Sequence, residues 1–156
     1  MTNTAVAALP AYRCTVLPEW IDYNGHLSEA FYVLVFGFAT DQVMDRLGMG
    51  EAYRQSTGNS LYTVEAHVRY LAETGLDAEL TVTTQIVGGG AKKLHLAHEM
   101  LSAGKLIATE ELLALHVDQG SGRSSAFPPP VLENISRYRA GLDDEAPDWI
   151  GRTVSS

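Results

Sequence analysis

The chemistry of this chain is concentrated in Trp20-Ile21-Asp22-Tyr23-Asn24-Gly25-His26-Leu27-Ser28-Glu29. This segment runs without a break into residues 30–39, Ala-Phe-Tyr-Val-Leu-Val-Phe-Gly-Phe-Ala, the most apolar stretch in the sequence. A carboxylate, a carboxamide and an imidazole therefore stand just before a helix that must be buried. The first N–H groups of a helix have no partner within it, and the helix dipole adds partial positive charge there. Such a start is a ready site for a developing oxyanion and needs no side chain. The donors concerned are the N–H groups of Ser28 and Glu29, and Asp22 is the acid beside them. Each residue also has a plainer use. Asp22 could cap local N–H groups, Asn24-Gly25 could form a tight turn, and His26 could be a satisfied structural histidine.

The elements that must hold this loop follow from pattern. Tyr12 to Leu17 reads as a strand closed by Pro18. Ser28 is a good N-cap with acidic Glu29 in the first turn, and Gly48 after Leu47 is a stop signal. The first half of this helix is apolar nearly all round, so it is expected to be covered on most sides. Residues 51–55 can add a helical turn before Gly58. From Ser60 the period changes to two. Over residues 61–71 one face carries Tyr62, Val64, Ala66, Val68 and Tyr70, and the other Leu61, Thr63, Glu65, His67 and Arg69. Residues 79–87, 93–101 and 106–117 are further strands joined by short glycine-containing turns, which makes an antiparallel meander. Val131 to Arg139 is a candidate short helix after Pro128-Pro129-Pro130.

The expected fold class is α+β: one domain in which a curved antiparallel sheet of about five strands wraps a long central helix. Residues 1–10 read as a flexible lead-in, 11–140 as the domain, and 141–156 as an acidic, Ser-rich tail anchored by Trp149 and otherwise partly disordered or packed on a neighbour. Open sheet edges are economically covered by a second copy of the chain.

Composition limits the partners. The formal net charge is −8, which argues against nucleic acid and anionic membrane surfaces. Residues 1–9 carry no basic residue before a short apolar run and do not read as a signal peptide; no apolar run is long enough for a membrane span. Cys14 is the single cysteine, which fits a reducing cytoplasm.

The order of elements, with Asp22, Asn24, Gly25 and His26 leading into the buried helix, the pair Phe31-Tyr32, and the strand Tyr62 to Leu71, resembles the hotdog-fold acyl-CoA thioesterases of the 4-hydroxybenzoyl-CoA thioesterase type. The resemblance covers roughly residues 10–120. More narrowly, residues 19–26, Thr40-Asp41 and Lys93-Leu94-His95-Leu96 are similar to the thioesterases that accompany carnitine dehydrogenase and release glycine betaine from betainyl-CoA. Ser28 is a departure, since many relatives carry Asn there.

The resemblance implies hydrolysis of an acyl-CoA thioester with a small acyl group. Asp22 would be nucleophile or general base, and His26 would orient it or the substrate carbonyl. Asn24 would shape the loop, and the N–H groups of Ser28 and Glu29 would polarise the carbonyl. The active site would lie at the interface of a homodimer or homotetramer. CoA would be part of the substrate, with no further cofactor. A trimethylammonium acyl group would want an aromatic box and a carboxylate, for which Trp20, Tyr23, Tyr32 and Tyr62 with Glu65 are candidates. In the plainer reading Glu65 and His67 lie on a solvated face, and each aromatic is core. Lys92, Lys93 and Arg123 could meet the phosphates of CoA or could simply be solvated.

No metal site is expected, because His95 and His98 point to opposite faces of a strand and His67 and His116 lie elsewhere. No Gly-x-Ser-x-Gly elbow or dinucleotide fingerprint occurs. Two other functions compete. One is a hotdog-fold enoyl-CoA hydratase or dehydratase, although Gly25 stands where that motif has Pro and His26 comes one residue early. The other is a non-catalytic acyl-CoA binding module, which would need the pocket and not Asp22.

Overall fold

The computed structural model describes residues 8–139 and 146–155. In order, the elements are β1 (Tyr12–Thr15), α1 (Glu29–Leu47), α2 (Glu51–Thr57), β2 (Asn59–Tyr70), β3 (Glu79–Gly89), β4 (Lys93–Ser102), β5 (Lys105–Asp118), β6 (Arg123–Ser124) and α3 (Pro129–Arg139). All strand pairs are antiparallel, in the order β1-β3-β4-β5-β2, with the short β6 beside β5. The meander β3-β4-β5 is as expected. β2 crosses over to the far edge, beside β5.

α1 forms where the sequence predicts it. Ser28 takes the extended N-cap backbone but its side chain makes no capping bond. The helix ends at Gly48 with φ 85, a left-handed turn that lets the Met49 N–H reach back to the Met44 carbonyl at 2.8 Å. Tyr32, Val35, Phe36, Ala39, Val43 and Leu47 are buried at helical spacing. They meet alternate residues of the sheet, among them Leu80, Val82, Leu96, Met100, Ala108 and Leu112. Coverage is one-sided, which corrects the expectation from its apolar first half: Val33, Leu34 and Phe38 stay exposed at 43%, 38% and 36%.

Between helix and sheet lies His98, wholly buried. Its Nε2 is 2.8 Å from Thr40 Oγ1, and its Nδ1 is 2.7 Å from Thr84 Oγ1. Thr40 donates its own proton to the Phe36 carbonyl at 3.1 Å. His98 must then donate from Nε2 and accept from Thr84 at Nδ1, so the ring is neutral. Burial pushes its pKa down to about 4. His116 is held the same way, between the Tyr53 hydroxyl and the Ser125 carbonyl. Both are structural histidines.

Two expectations need correction. β2 does not alternate uniformly: its register against β5 shifts between Thr63 and Glu65, a bulge at Val64. Before the bulge Leu61 faces inward and Tyr62 outward. After it Ala66, Val68 and Tyr70 share the inward face, opposite Leu112, Glu110 and Ala108. The first strand also ends at Thr15, and Pro18–Trp20 forms a single 3-10 turn. The lead-in at 1–7 and the tail residues 140–145 and 156 lie outside the described residues. The described tail packs on its own chain: Trp149 is buried, and the Gly151 N–H donates to Glu111 Oε2 at 2.7 Å.

The neutral state of His98 has a measurable consequence. Its folded pKa lies below the ordinary histidine value, so the unfolded chain binds the extra proton first. The contribution is complete above about pH 6.5 and is lost as pH falls towards about 4. Urea midpoints measured across this range should show that dependence, and His98→Gln should remove it while costing about 1–3 kcal/mol at pH 7.

Candidate active site

Ile21 and Leu27 form an isolated antiparallel bridge that closes the signature loop. The Leu27 N–H donates to the Thr74 carbonyl at 2.9 Å, tying the loop to the turn after β2. Within the loop the Gly25 N–H donates to the Asp22 carbonyl, and Gly25 takes φ 81, which explains the glycine. Asp22 Oδ1 accepts the N–H groups of Asn24 at 2.9 Å and His26 at 3.4 Å. The plainer reading of Asp22, a cap on local N–H groups, describes Oδ1. One oxygen caps the turn, and Oδ2 has no partner among the described residues.

The N–H donors differ from expectation. The Ser28 N–H is used, donating to the Trp20 carbonyl at 3.0 Å, so it is unavailable to a ligand. The Phe31 N–H is also used, on the Ser28 carbonyl. Those of Glu29 and Ala30 make no bond among the described residues. The helix start therefore offers donors one residue later than the sequence indicates. The imidazole of His26 does not touch Asp22. Its Nδ1 stands 3.4 Å from Glu73, and its link to Asp22 runs through the backbone, where the Asp22 N–H donates to the His26 carbonyl.

Asp22, Ser28 and Glu29 open onto a cleft of about 550 Å³. Tyr23, Tyr32 and Tyr70 wall it, and Glu73 adds a third carboxylate beside Asp22 and Glu29; no lysine or arginine lines it. Tyr32 and Tyr70 meet edge to face with centroids 5.2 Å apart. The Tyr32 hydroxyl donates to the Ala72 carbonyl, and the Tyr70 hydroxyl to the Glu29 carbonyl at 3.3 Å. Burial raises the Tyr32 pKa first, and the Glu73 carboxylate adds to it. Both rings stay neutral donors, rigidly set.

The other binding candidates are not in this cleft. Trp20 is buried and stacks on Phe31 at 5.8 Å, so it belongs to the core. Tyr62 and Glu65 face the opposite side of the sheet, for which the bulge at Val64 is responsible. The Tyr62 hydroxyl is bonded to Gln119. Glu65 borders a second cavity of about 590 Å³ with His67, His95, Glu111 and the tail. That cavity is larger, but it has no helix start. Its His95–Glu111 pair is already satisfied at 2.8 Å, with the second Glu111 oxygen on Gly151. Lys92 and Lys93 are exposed on the β3–β4 turn, and Arg123 is exposed on β6. Lys93 pairs with Leu115 and Arg123 with Asp118, whereas Tyr70 pairs with Ala108. Seven residues of β5 separate Ala108 from Leu115, about 23 Å, so within one chain these cations lie at the other end of the sheet from Asp22. Sequence reasoning missed two cleft residues, Glu73 and Tyr70; for Tyr70 the cause lies in its strand. Its alternation placed it on a face with Tyr62, and only the bulge separates the two.

Comparison with known proteins agrees with this geometry. Residues 16–135 match the thioesterase-like superfamily. A betainyl-CoA thioesterase from Pseudomonas aeruginosa is 38% identical over 94% of this chain and 94% of its own length. An L-carnitine dehydrogenase/betainyl-CoA thioesterase from Agrobacterium fabrum is 41% identical over 86% of this chain, which spans 28% of that longer protein. Protein SAV2348 from Staphylococcus aureus, whose structure was solved in complex with CoA, superposes with a TM-score of 0.89 over 94% of both chains at 28% identity. No helix among the described residues is long and apolar enough to cross a membrane. With its family match, its curled sheet around α1 and a carboxylate at the helix start, the chain belongs to the thioesterase-like superfamily and is a hotdog-fold hydrolase of acyl-CoA thioesters.

Proposed function

We propose that this enzyme removes a small, cationic acyl group from CoA, of the trimethylammonium-acetyl type that its relatives' names record as betainyl-CoA. The observation that carries this reading is the cleft itself: three tyrosines and three carboxylates around the helix start, with no basic side chain in the lining. Aromatic faces and carboxylates attract a quaternary ammonium, and such a lining disfavours an anionic acyl group.

In this reading the thioester carbonyl lies against the N–H groups of Glu29 and Ala30, which take up the charge that develops on its oxygen. Asp22 Oδ2 is the reacting oxygen. It either takes a proton from the attacking water or attacks the carbonyl carbon itself. Both routes break the C–S bond, release the CoA thiol and consume one water, so no cofactor is needed. Replacing Asp22 with Ala should lower thiol release by about 10²–10⁴-fold while CoA binding persists. Label in the Asp22 carboxylate after single turnover in ¹⁸O-water identifies direct attack with water opening the anhydride at the Asp22 carbon, and trapping of the anhydride by hydroxylamine identifies direct attack with water opening it at the acyl carbon. Full thiol release by the Ala variant would reject the assignment.

A second copy of the chain completes the site in this proposal. β2 is a twelve-residue strand with one edge unpaired. Antiparallel pairing of two β2 edges about their middle sets the Tyr70 end of each against the Asn59 end of the other. Asn59 pairs with Asp118, which pairs with Arg123. The basic end of one copy, with Lys92, Lys93 and Arg123, then comes to the acidic cleft of its partner, where the CoA phosphates would lie. The free Cys14 fits a cytoplasmic home. The test is complementation. Chains with Asp22→Ala and chains with Lys92, Lys93 and Arg123 all changed to Ala should each be impaired, and mixed dimers should regain sites with wild-type KM. No gain on mixing would mean that one copy supplies the whole site.

A further inference from the structure

Glu110 is the only acidic side chain buried among the described residues, at 5% exposure. It makes no hydrogen bond and no ion pair there. The sealed polar atoms without a partner are Thr109 Oγ1 and Trp149 Nε1; the Glu110 carboxyl oxygens are not among them and keep a narrow opening. A buried, unpartnered carboxylate is costly, and a chain retains one where something else meets it.

Its place indicates what that is. β5 presents Glu110 on the face that looks at α1, between Val68 of β2 and His98 of β4. Two residues earlier Ala108 pairs with Tyr70, whose ring walls the cleft. The Tyr70 hydroxyl responds to both ends of this arrangement: burial raises its pKa most, then Glu29 at the helix start, then Glu110. The carboxyl thus stands behind Tyr70, one row further under α1, beside the His98 that meets Phe36 and Thr40. His98 cannot neutralise it, because both ring nitrogens are committed to threonines. In a betainyl thioester the ammonium nitrogen is two bonds from the carbonyl carbon. Its counter-charge must therefore sit close beneath the same helix start.

We propose that Glu110 is the specificity-determining counter-charge for the quaternary ammonium of the acyl group, closing from below the box walled by Tyr32 and Tyr70. This rests on the cationic-acyl reading above and assigns its ion-pairing residue.

The decisive comparison uses the full-length enzyme with betainyl-CoA and its neutral isostere tert-butylacetyl-CoA, which differ only by carbon for nitrogen. Wild type should prefer the cation. Glu110→Gln should reduce the ratio of the two kcat/KM values by about thirtyfold or more, mainly through KM, and Glu110→Leu should invert it. A wild type without preference for the cation overturns the cationic-acyl reading and this inference with it. A wild-type preference that survives in Glu110→Gln overturns this inference alone.

Unfolding supplies a readout that does not depend on turnover. The titratable groups around Glu110 are Tyr70 of β2, His98 of β4 and, across Tyr70, Glu29 and Tyr32 of α1. Burial raises the Glu110 pKa from 4.5 to about 7, so its contribution to stability is complete below 4.5 and is lost as pH rises through about 7. At pH 8 Glu110→Gln should therefore melt above wild type, and the gap should close by pH 4. No gap at pH 8 would mean that the carboxylate is already compensated within the chain, which overturns the assignment.

Discussion

Burial of one side of α1 against the concave face of the sheet is the constraint from which the rest follows. An apolar helix of this length cannot stand alone in water, and the sheet must curl to meet it. Once the helix is clamped by Phe36, Val43 and Leu47, its start is fixed in space to within a side-chain rotation. The loop before it then has little freedom, because the Ile21–Leu27 bridge and the Leu27 to Thr74 bond hold it at both ends. The acid at position 22 and the open donors of Glu29 and Ala30 are held together by the core, and the loop needs no further support.

Charge is distributed unevenly along the sheet. The cleft beside the helix start is acidic, while Lys92, Lys93 and Arg123 gather at the far end of the strands. An acyl-CoA with a cationic acyl group has the complementary polarity: positive at the acyl end and negative at the nucleotide. Within one chain the two halves of this pattern lie at opposite ends of the sheet. The net charge of −8 describes neither half, which is why whole-chain charge was silent on the site.

How much the residues alone conveyed depended on the range of the interaction. α1 from Ser28 to Gly48 was legible because capping, periodicity and the glycine stop are local signals. So were the strands and the acid at position 22. Two kinds of information were not local. The first was the competition for the Ser28 N–H, which the Trp20 carbonyl wins. A sequence shows that helix donors are free of the helix, not what folds back onto them. The second was the fate of aromatic residues. Trp20 and Tyr32 look alike in sequence as binding residues, yet one stacks into the core and the other walls the cleft. Glu110 was invisible for the same reason: in Thr109-Glu110-Glu111 nothing marks which acid faces the helix, and only strand register separates them.

The bulge at Val64 has one more consequence. A uniform strand edge can slip by two residues and still present the same faces. An extra residue removes that symmetry, since the ladder is interrupted at one place and the local twist is stronger there. Two such edges brought together cannot glide past each other freely, for each interruption must lie where the opposite backbone tolerates it. In the proposed pair the inserted valine would act as a notch that indexes one copy against another, so that a single residue would set the spacing between its two distant ends.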